Sequence, residues 1–279
     1  GRFDAGPRRA VRAASVFGQT FWKGGLEVLL GLPASSPQVD DWLRALVAAE
    51  VIEAHEESRL THEKEYAFRH ALVREAAYSL LTEQDLTTGH QLAAQYLQRL
   101  GEPEPLVLAE HYRRGGEPES AIALYRQAAE EANRMLALPE ARQHFGQARI
   151  LLDRLVDSPA HQRLKVDILL RQVQLGLVSE PPEQNLARLA EARATLNALS
   201  PSGEMDVADQ QRSGWIDLLS GRIYYYQGQH VQAIRYYRQV LVVAEALGDA
   251  RLLAVPSQFI GMALAVQGQS GGKKLGEVL

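Results

Sequence analysis

The chain has no cysteine, which excludes disulfides, thiolate nucleophiles and cysteine-type zinc sites and leaves histidine and carboxylate as the only metal ligands. It has no apolar run of the roughly 20 residues that span a bilayer, and no charged-then-apolar leader opens it. A soluble protein is expected, with the cytoplasm as a compatible compartment. An excess of positive charge is also missing. Its 30 Lys and Arg stand against 34 Asp and Glu, a formal charge of −4, and this offers no general attraction to phosphate backbones or anionic lipid. The 279 residues begin at Gly1 and stop at Leu279 within an apolar helical pattern, so both ends read as cuts in a longer protein.

What the chain does have is Ala, Leu, Gln, Arg and Glu, the strong helix formers. With 46% apolar and 23% charged residues the composition is that of an ordinary globular protein, too apolar for intrinsic disorder. A mostly α fold of one or two domains is expected.

The first eighty or so residues differ in texture from the rest. Pro7 suits a helix start, and Val11, Ala14 and Phe17 recur at helical spacing, giving a first helix over about 7–16. FGQTFWKGGLEVLLG reads as a loop and a short helix ending near Gly31, with Leu26, Leu29 and Leu30 as its apolar face. Ser35-Ser36-Pro37 caps a third helix striped by Val39, Leu43, Leu46 and Val47. VIEAHEESRLTHEKEYAF carries the one convincing β signal, two short strands around a charged loop. Three helices, a β-hairpin and a closing helix that starts at Phe68 give the order of a winged-helix domain, expected over 1–83.

From 84 to 279 the periodicity is helical, and it repeats. Around Gly116, Ala109 lies seven before, Tyr112 four before, Ala121 five after, Tyr125 nine after and Ala128 twelve after; around Gly228 the same offsets hold Gly221, Tyr224, Ala233, Tyr237 and Val240. Gly261 and Gly268 stand forty residues beyond Gly221 and Gly228. Small residues let two antiparallel helices approach, a turn glycine supplies the positive φ that ends the first helix, and tyrosines fill the crossing. These are the offsets of the tetratricopeptide repeat, clearest at 102–130, 214–247 and a truncated 254–279. Between them Ala141, Phe145 and Ala148 keep the spacing of a second helix, and 161–178 and 185–199 form another pair, joined at Pro181-Pro182. A right-handed α-solenoid of such helix pairs is the expectation for this part. A cut last repeat leaves an uncovered apolar face, so self-association through the C-terminal end or a frayed last helix is expected.

Several segments invite a chemical reading. GQSGGKK, Gly268 to Lys274, has the wrong glycine spacing for a phosphate loop, lacks Ser or Thr after the lysine, and falls on an inter-helix turn. His55, Glu56, Glu57, His62, Glu63 and Glu65 are dense enough for a metal, yet Arg59 stands where a zinc motif needs its second histidine, so a solvated wing is expected. The third helix carries Asp40, Asp41, Arg44 and Glu50, a net negative charge opposite to what DNA phosphates require. No catalytic signature stands out, and neither enzyme activity nor a cofactor is expected. The inward positions of the best repeat are Trp215, Leu218, Arg222, Tyr225 and Tyr226. Aromatics and arginine are enriched at binding hot spots, so these are the candidate groove for a protein or peptide; packing between repeats is the competing use for Trp215 and the tyrosines.

RAASVFGQTFW at Arg12 to Trp22, YAFRHALVREAAYSLL at Tyr66 to Leu81 and the first repeat, AEHYRRGGEPESAIALYRQAAEEA, together resemble the region downstream of the nucleotide-binding core in large bacterial signal-transduction ATPases of the STAND class. In that group the ATPase core is followed by a winged-helix-like domain and tetratricopeptide-type repeats, commonly fused to cyclase, serine/threonine kinase or LuxR-type DNA-binding domains. TTGHQL at Thr87 to Leu92 departs from the resemblance, since related chains have more basic residues there. The resemblance implies a regulatory fragment that lacks the ATPase core, neither binds nor hydrolyses ATP alone, and packs its winged helix on that core. His70 and Arg74, four apart on one side of the closing helix, are the candidate interdomain contacts. The alternative is a transcription regulator that reads DNA with the winged helix and senses a partner with the repeats.

Overall fold

The computed structural model describes residues 4–201 and 203–270, with side chains up to residue 265. The chain divides into two compact units, Gly1–Ala128 and Ala129–Leu279. Among the described residues there are thirteen helices and three short strands, so the protein is mostly helical.

In the first unit the order is α1 (Ala5–Ala14), β1 (Thr20–Trp22), α2 (Lys23–Leu30), α3 (Pro37–Ala48), β2 (Ile52–Ala54), β3 (Glu65–Phe68) and α4 (Ala71–Tyr78). Three helices and a sheet share one core, in which Ala10, Phe21, Leu26, Leu43, Leu46 and Phe68 are almost wholly buried. Gly31, in the left-handed region at φ 66°, closes α2 where the sequence placed its end. The sheet is antiparallel in the order β1-β3-β2, with Thr20 opposite Ala67 and Ile52 opposite Phe68.

Two details depart from the sequence reading. TFW was expected in a loop and is a strand. Three residues are too short for a period to declare itself, and the strand is decided by a partner more than forty positions away: Phe21 stacks on Tyr66 at 5.7 Å, and the Trp22 indole donates to Glu65 at 3.1 Å. The helix expected from Phe68 starts at Ala71, because Phe68 is still held in the sheet, its N–H donating to the Gln19 carbonyl at 2.9 Å. The apolar side chains of α4 and of the turn after it are split between core and surface. Val73 packs on the core and Ala77 is buried, whereas Leu72 and Leu80 are 78% and 69% exposed.

The charged loop between β2 and β3 is organised by Glu65. This buried carboxylate accepts from the Arg59 N–H at 2.8 Å, the Trp22 indole and the His55 ring at 2.9 Å. Burial opposes its ionisation, but these hydrogen bonds outweigh it and hold its pKa below the ordinary value. Glu56, Glu57 and His62 are exposed, and no group of three metal-binding side chains occurs among the described residues.

The unit continues with α5 (Glu83–Arg99), α6 (Pro105–Arg114) and α7 (Pro118–Arg134), the last crossing into the second unit. Thr82 and Asp85 form a reciprocal capping box that starts α5, and α5 packs on both α2 and α6. Ala109, Tyr112, Ala121, Tyr125 and Ala128, chosen by their offsets from Gly116, are all buried, and Gly116 has the φ of 77° its turn requires.

The second unit holds α8 (Leu138–Leu152), α9 (Pro159–Gly176), α10 (Pro182–Leu199), α11 (Val207–Tyr226), α12 (His230–Leu247) and α13 (Ala250–Ser270). Ala141, Phe145 and Ala148 are the buried stripe of α8, and α9 and α10 pack as the expected pair, with Pro182 opening α10. The α11–α12 pair reproduces the Gly116 offsets: Ala233, Tyr237 and Val240 are wholly buried, and a methyl at Gly221 would lie 2.6 Å from the Tyr237 ring, so glycine there sets the approach of the two helices. The turn expected at Gly268 does not occur there; α13 runs through it to Ser270, and a lone helical glycine costs only about 1 kcal/mol relative to alanine. Residues 271–274 of GQSGGKK, and with them the end of the last repeat, lie outside the described residues.

Candidate functional site

The Asp206 side chain caps the start of α11, accepting from the Asp209 N–H at 2.8 Å. Behind it, buried Asp209 is bridged by Arg163 and Arg212, and hydrogen bonds from Arg163 lead the causes that hold its pKa below the usual carboxylate value. This network fixes α11 against α9. The helix then presents its last two turns beside α12 and α13.

The five groove residues separate into two groups. Leu218 is 1% exposed and belongs to the core between α11, α12 and α13, and Trp215 is half-buried against both core clusters of this unit. Both have packing roles. Arg222, Tyr225 and Tyr226 lie together nearer the surface. Tyr225 meets Phe259 edge-on at 4.9 Å and His230 at 5.2 Å, Tyr226 is half-exposed, and the Arg222 guanidinium lies 6.0 Å over its ring.

Three polar atoms sharpen this cluster. Arg222 Nε, His230 Nδ1 and Tyr237 Oη are buried and have no hydrogen-bond partner among the described residues. Burial raises the Tyr237 pKa, with Arg222 opposing it as the next cause and Tyr226 and Tyr225 adding to it, so the four side chains sit in one electrostatic neighbourhood. An unpaired buried donor costs about 1–3 kcal/mol. The arrangement can therefore recover that cost by accepting a ligand that carries acceptor oxygens.

His230, Tyr237 and Phe259 were not singled out as site residues from sequence, although a signal for Tyr237 was present. Six before the turn glycine, the Gly116 copy has Glu110 and the Gly228 copy has Arg222. In the first copy Tyr125 donates to Glu110, which also receives Arg113 at 2.7 Å. The second copy keeps the tyrosine and replaces its acceptor with a donor.

The two interdomain candidates also part company. His70 is exposed in the position preceding α4, whereas Arg74 lines a cavity of about 480 Å³ within the first unit, between the Val16–Gln19 loop, α4, α5 and α6. At that cavity His90 and His111, both buried, bring their Nδ1 atoms to 3.0 Å, and Tyr78 Oη lies 2.8 Å from His90 Nε2. One Nδ1 must donate and the other accept, so the two rings cannot both be protonated. Burial first, then His111 and Arg114, lower the His90 pKa to about 3, and burial followed by Arg114 lowers His111 to about 4. Sequence reasoning saw these histidines only as members of a helix and a repeat.

Residues 106–136 and 218–251 match the tetratricopeptide repeat family. Repeats of this kind build surfaces for protein interaction. No curated protein matches the chain significantly. Among solved structures the chain is similar to a signal-transduction ATPase with numerous domains from Pyrococcus horikoshii that has a tetratricopeptide repeat sensor, at 16% identity and a TM-score of 0.36 over 96% of this chain. The match spans 48% of that protein, so this chain corresponds to about half its length. No described helix is long and apolar enough to cross a membrane.

Proposed function

We propose that the chain is a non-catalytic, cytoplasmic interaction region of a multidomain signalling ATPase, in which the last described repeat captures an acidic segment of a protein partner. The observation that carries this is the trio of unpaired buried polar atoms on Arg222, His230 and Tyr237 beside the aromatic rings of Tyr225, Tyr226 and Phe259. Aromatic walls supply contact area at low entropic cost, and a carboxylate from the partner would stand in for the one that Glu110 provides in the other copy.

For the first unit we infer a winged helix that packs on an ATPase core. The order α1-β1-α2-α3-β2-β3 with its three-stranded antiparallel sheet supports the winged helix, and the exposed Leu72 on α4 and Leu80 in the turn after it, inside the stretch that resembles the STAND class, support an apolar docking face. DNA reading is disfavoured by α3, whose Asp40 is paired with Lys23 at 2.6 Å and whose Arg44 is paired with Asp41. That consumes the helix's only positive charge.

Selection of peptides from a random pool against the whole chain tests the groove. Enrichment of Asp or Glu at one position is expected, with Arg222→Leu weakening the selected peptides by about 30-fold or more, the equivalent of roughly 2 kcal/mol. Selected peptides without an acid, or an unchanged affinity in the variant, would overturn the reading. Separately, titration of the purified chain with Mg-ATP is expected to give no binding, and micromolar affinity would contradict the absence of a nucleotide site.

A further inference from the structure

The cavity of the first unit is unused by the partner reading, and its polar groups are unequally matched. Glu110 is committed to Arg113 and Tyr125, and Glu104 faces Arg59 at 3.4 Å. The two carboxylates of the wall therefore already have partners. Arg74 does not. Its side chain is three-quarters buried, its nearest carboxylate is the neighbouring Glu75 at a loose 3.9 Å, and its guanidinium makes no hydrogen bond among the described residues. Its guanidinium instead stands 5.6 Å over the Tyr78 ring. Arg114, on the same wall, reaches Glu110 only at 3.6 Å and Tyr78 Oη at 3.4 Å.

The remaining lining divides into two parts. Val16, Phe17, Leu106 and Val107 give an apolar side, and His90 gives a polar wall that burial keeps uncharged, with His111 neutral behind it. Tyr78 Oη accepts from Arg114 and pairs with His90 Nε2, and the histidine pair is engaged with itself rather than with the cavity. The charge left over is that of one guanidinium, backed by a second that is half-satisfied.

We propose that this cavity binds a small organic monocarboxylate, its head group on Arg74 and Arg114 and its apolar body against Phe17 and Leu106. A cavity of about 480 Å³ is in the range of small-molecule sites and larger than a bare anion fills. A dianion such as phosphate is the poorer match, since Arg114 is already shared with Glu110 and the apolar side of the cavity offers a second charge no donor. Arginine meets a planar carboxylate with two parallel N–H donors, which fits this head group to this residue.

Calorimetric titration of the whole chain with benzoate, phenylacetate and octanoate, each beside its neutral amide, tests the assignment. At least one acid is expected to bind about tenfold or more tightly than its amide, with perturbation of the His90 and His111 ring resonances. Arg74→Gln should abolish that preference, Arg74→Lys should retain part of it, and Arg222→Leu in the other unit should leave it unchanged, provided each variant keeps the native circular dichroism. Equal binding of acid and amide, an undiminished preference in Arg74→Gln, tighter binding of inorganic phosphate, or no heat with any of the three acids would overturn it. The site shares no residue with the repeat cluster, so either reading can fail while the other stands.

Discussion

The two repeat copies around Gly116 and Gly228 share a backbone plan and differ in how they settle their polar atoms. Tyr125 and Tyr237 occupy the same offset, and both are buried at 1% exposure or less. Tyr125 donates to Glu110, and Glu110 is also held by Arg113. At the matching positions the second copy has Arg222 for Glu110, Tyr225 for Arg113 and Tyr226 for Arg114. It has exchanged an internally neutralised cluster for an aromatic one with orphaned polar atoms. The packing residues make the fold, and the positions between them decide whether its buried polar atoms find partners.

The largest expected difference is in acid. His90 and His111 lie in and beside the first copy, and their counterparts are absent from the second, where Ile223 stands at the offset of His111. Their folded pKa values, about 3 and about 4, are below the ordinary 6.5. Between those limits the unfolded chain takes up protons that the folded chain refuses, so stability is lost as the pH falls from 6.5 toward 4. At pH 5 each histidine costs about 2 kcal/mol and the pair up to about 4. Chemical denaturation monitored from pH 7 to 5 should show this slope, and His111→Gln should reduce it by about half. A flat profile would mean that the two rings are not buried together.

How much of this was legible depends on the range of the interaction. The repeats were, because Gly221, Ala233, Tyr237 and Val240 are consequences of one local crossing and recur at fixed offsets. The ends of α2 and the α9–α10 pair were marked by Gly31 and Pro182 in the same local way. β1 was not, since Thr20–Trp22 becomes a strand only by pairing with residues 65–67. The cavity was invisible for a similar reason. Arg74, His90 and Arg114 belong to three helices, and none has a spacing that announces the others. Of the groove residues, the sequence placed Arg222, Tyr225 and Tyr226 together, and their periodicity alone did not separate them from Trp215 and Leu218, which share the same helical face and turn inward to pack.

A methyl at the helix crossing gives the next largest effect. The first copy has Ala109 where the second has Gly221, yet a Cβ at Gly221 would stand 2.6 and 2.8 Å from two atoms of the Tyr237 ring. Gly221→Ala should therefore cost about 2 kcal/mol despite alanine's better helix propensity, lowering the melting midpoint by roughly 4–8 °C. A neutral or stabilising result would show that the two crossings have the same spacing and that the copies differ only in polarity.

The smallest effect, that of Tyr237→Phe set against Tyr125→Phe, isolates the polar difference directly. Tyr125→Phe leaves the ring and removes a hydrogen bond to a charged acceptor, a loss of about 1.5–3 kcal/mol at neutral pH. Burial works against the Glu110 charge, while hydrogen bonds from Arg113 and Tyr125 outweigh it and lower its pKa. The Tyr125 contribution should therefore persist above the ordinary carboxylate pKa and fade as the pH falls through the lowered one. Tyr237→Phe removes a hydroxyl that has no partner among the described residues. It should change stability by less than about 0.5 kcal/mol or raise it, because the buried oxygen no longer goes unsatisfied. The sign reverses once a partner occupies the cluster: an acidic peptide that stabilises the wild-type chain should stabilise Tyr237→Phe less, since the hydroxyl that was a cost in the free protein has become a donor in the complex. Equal losses from both tyrosines in the free chain would dissolve the distinction between the copies, and with it the reason to place the acid-binding site in the second.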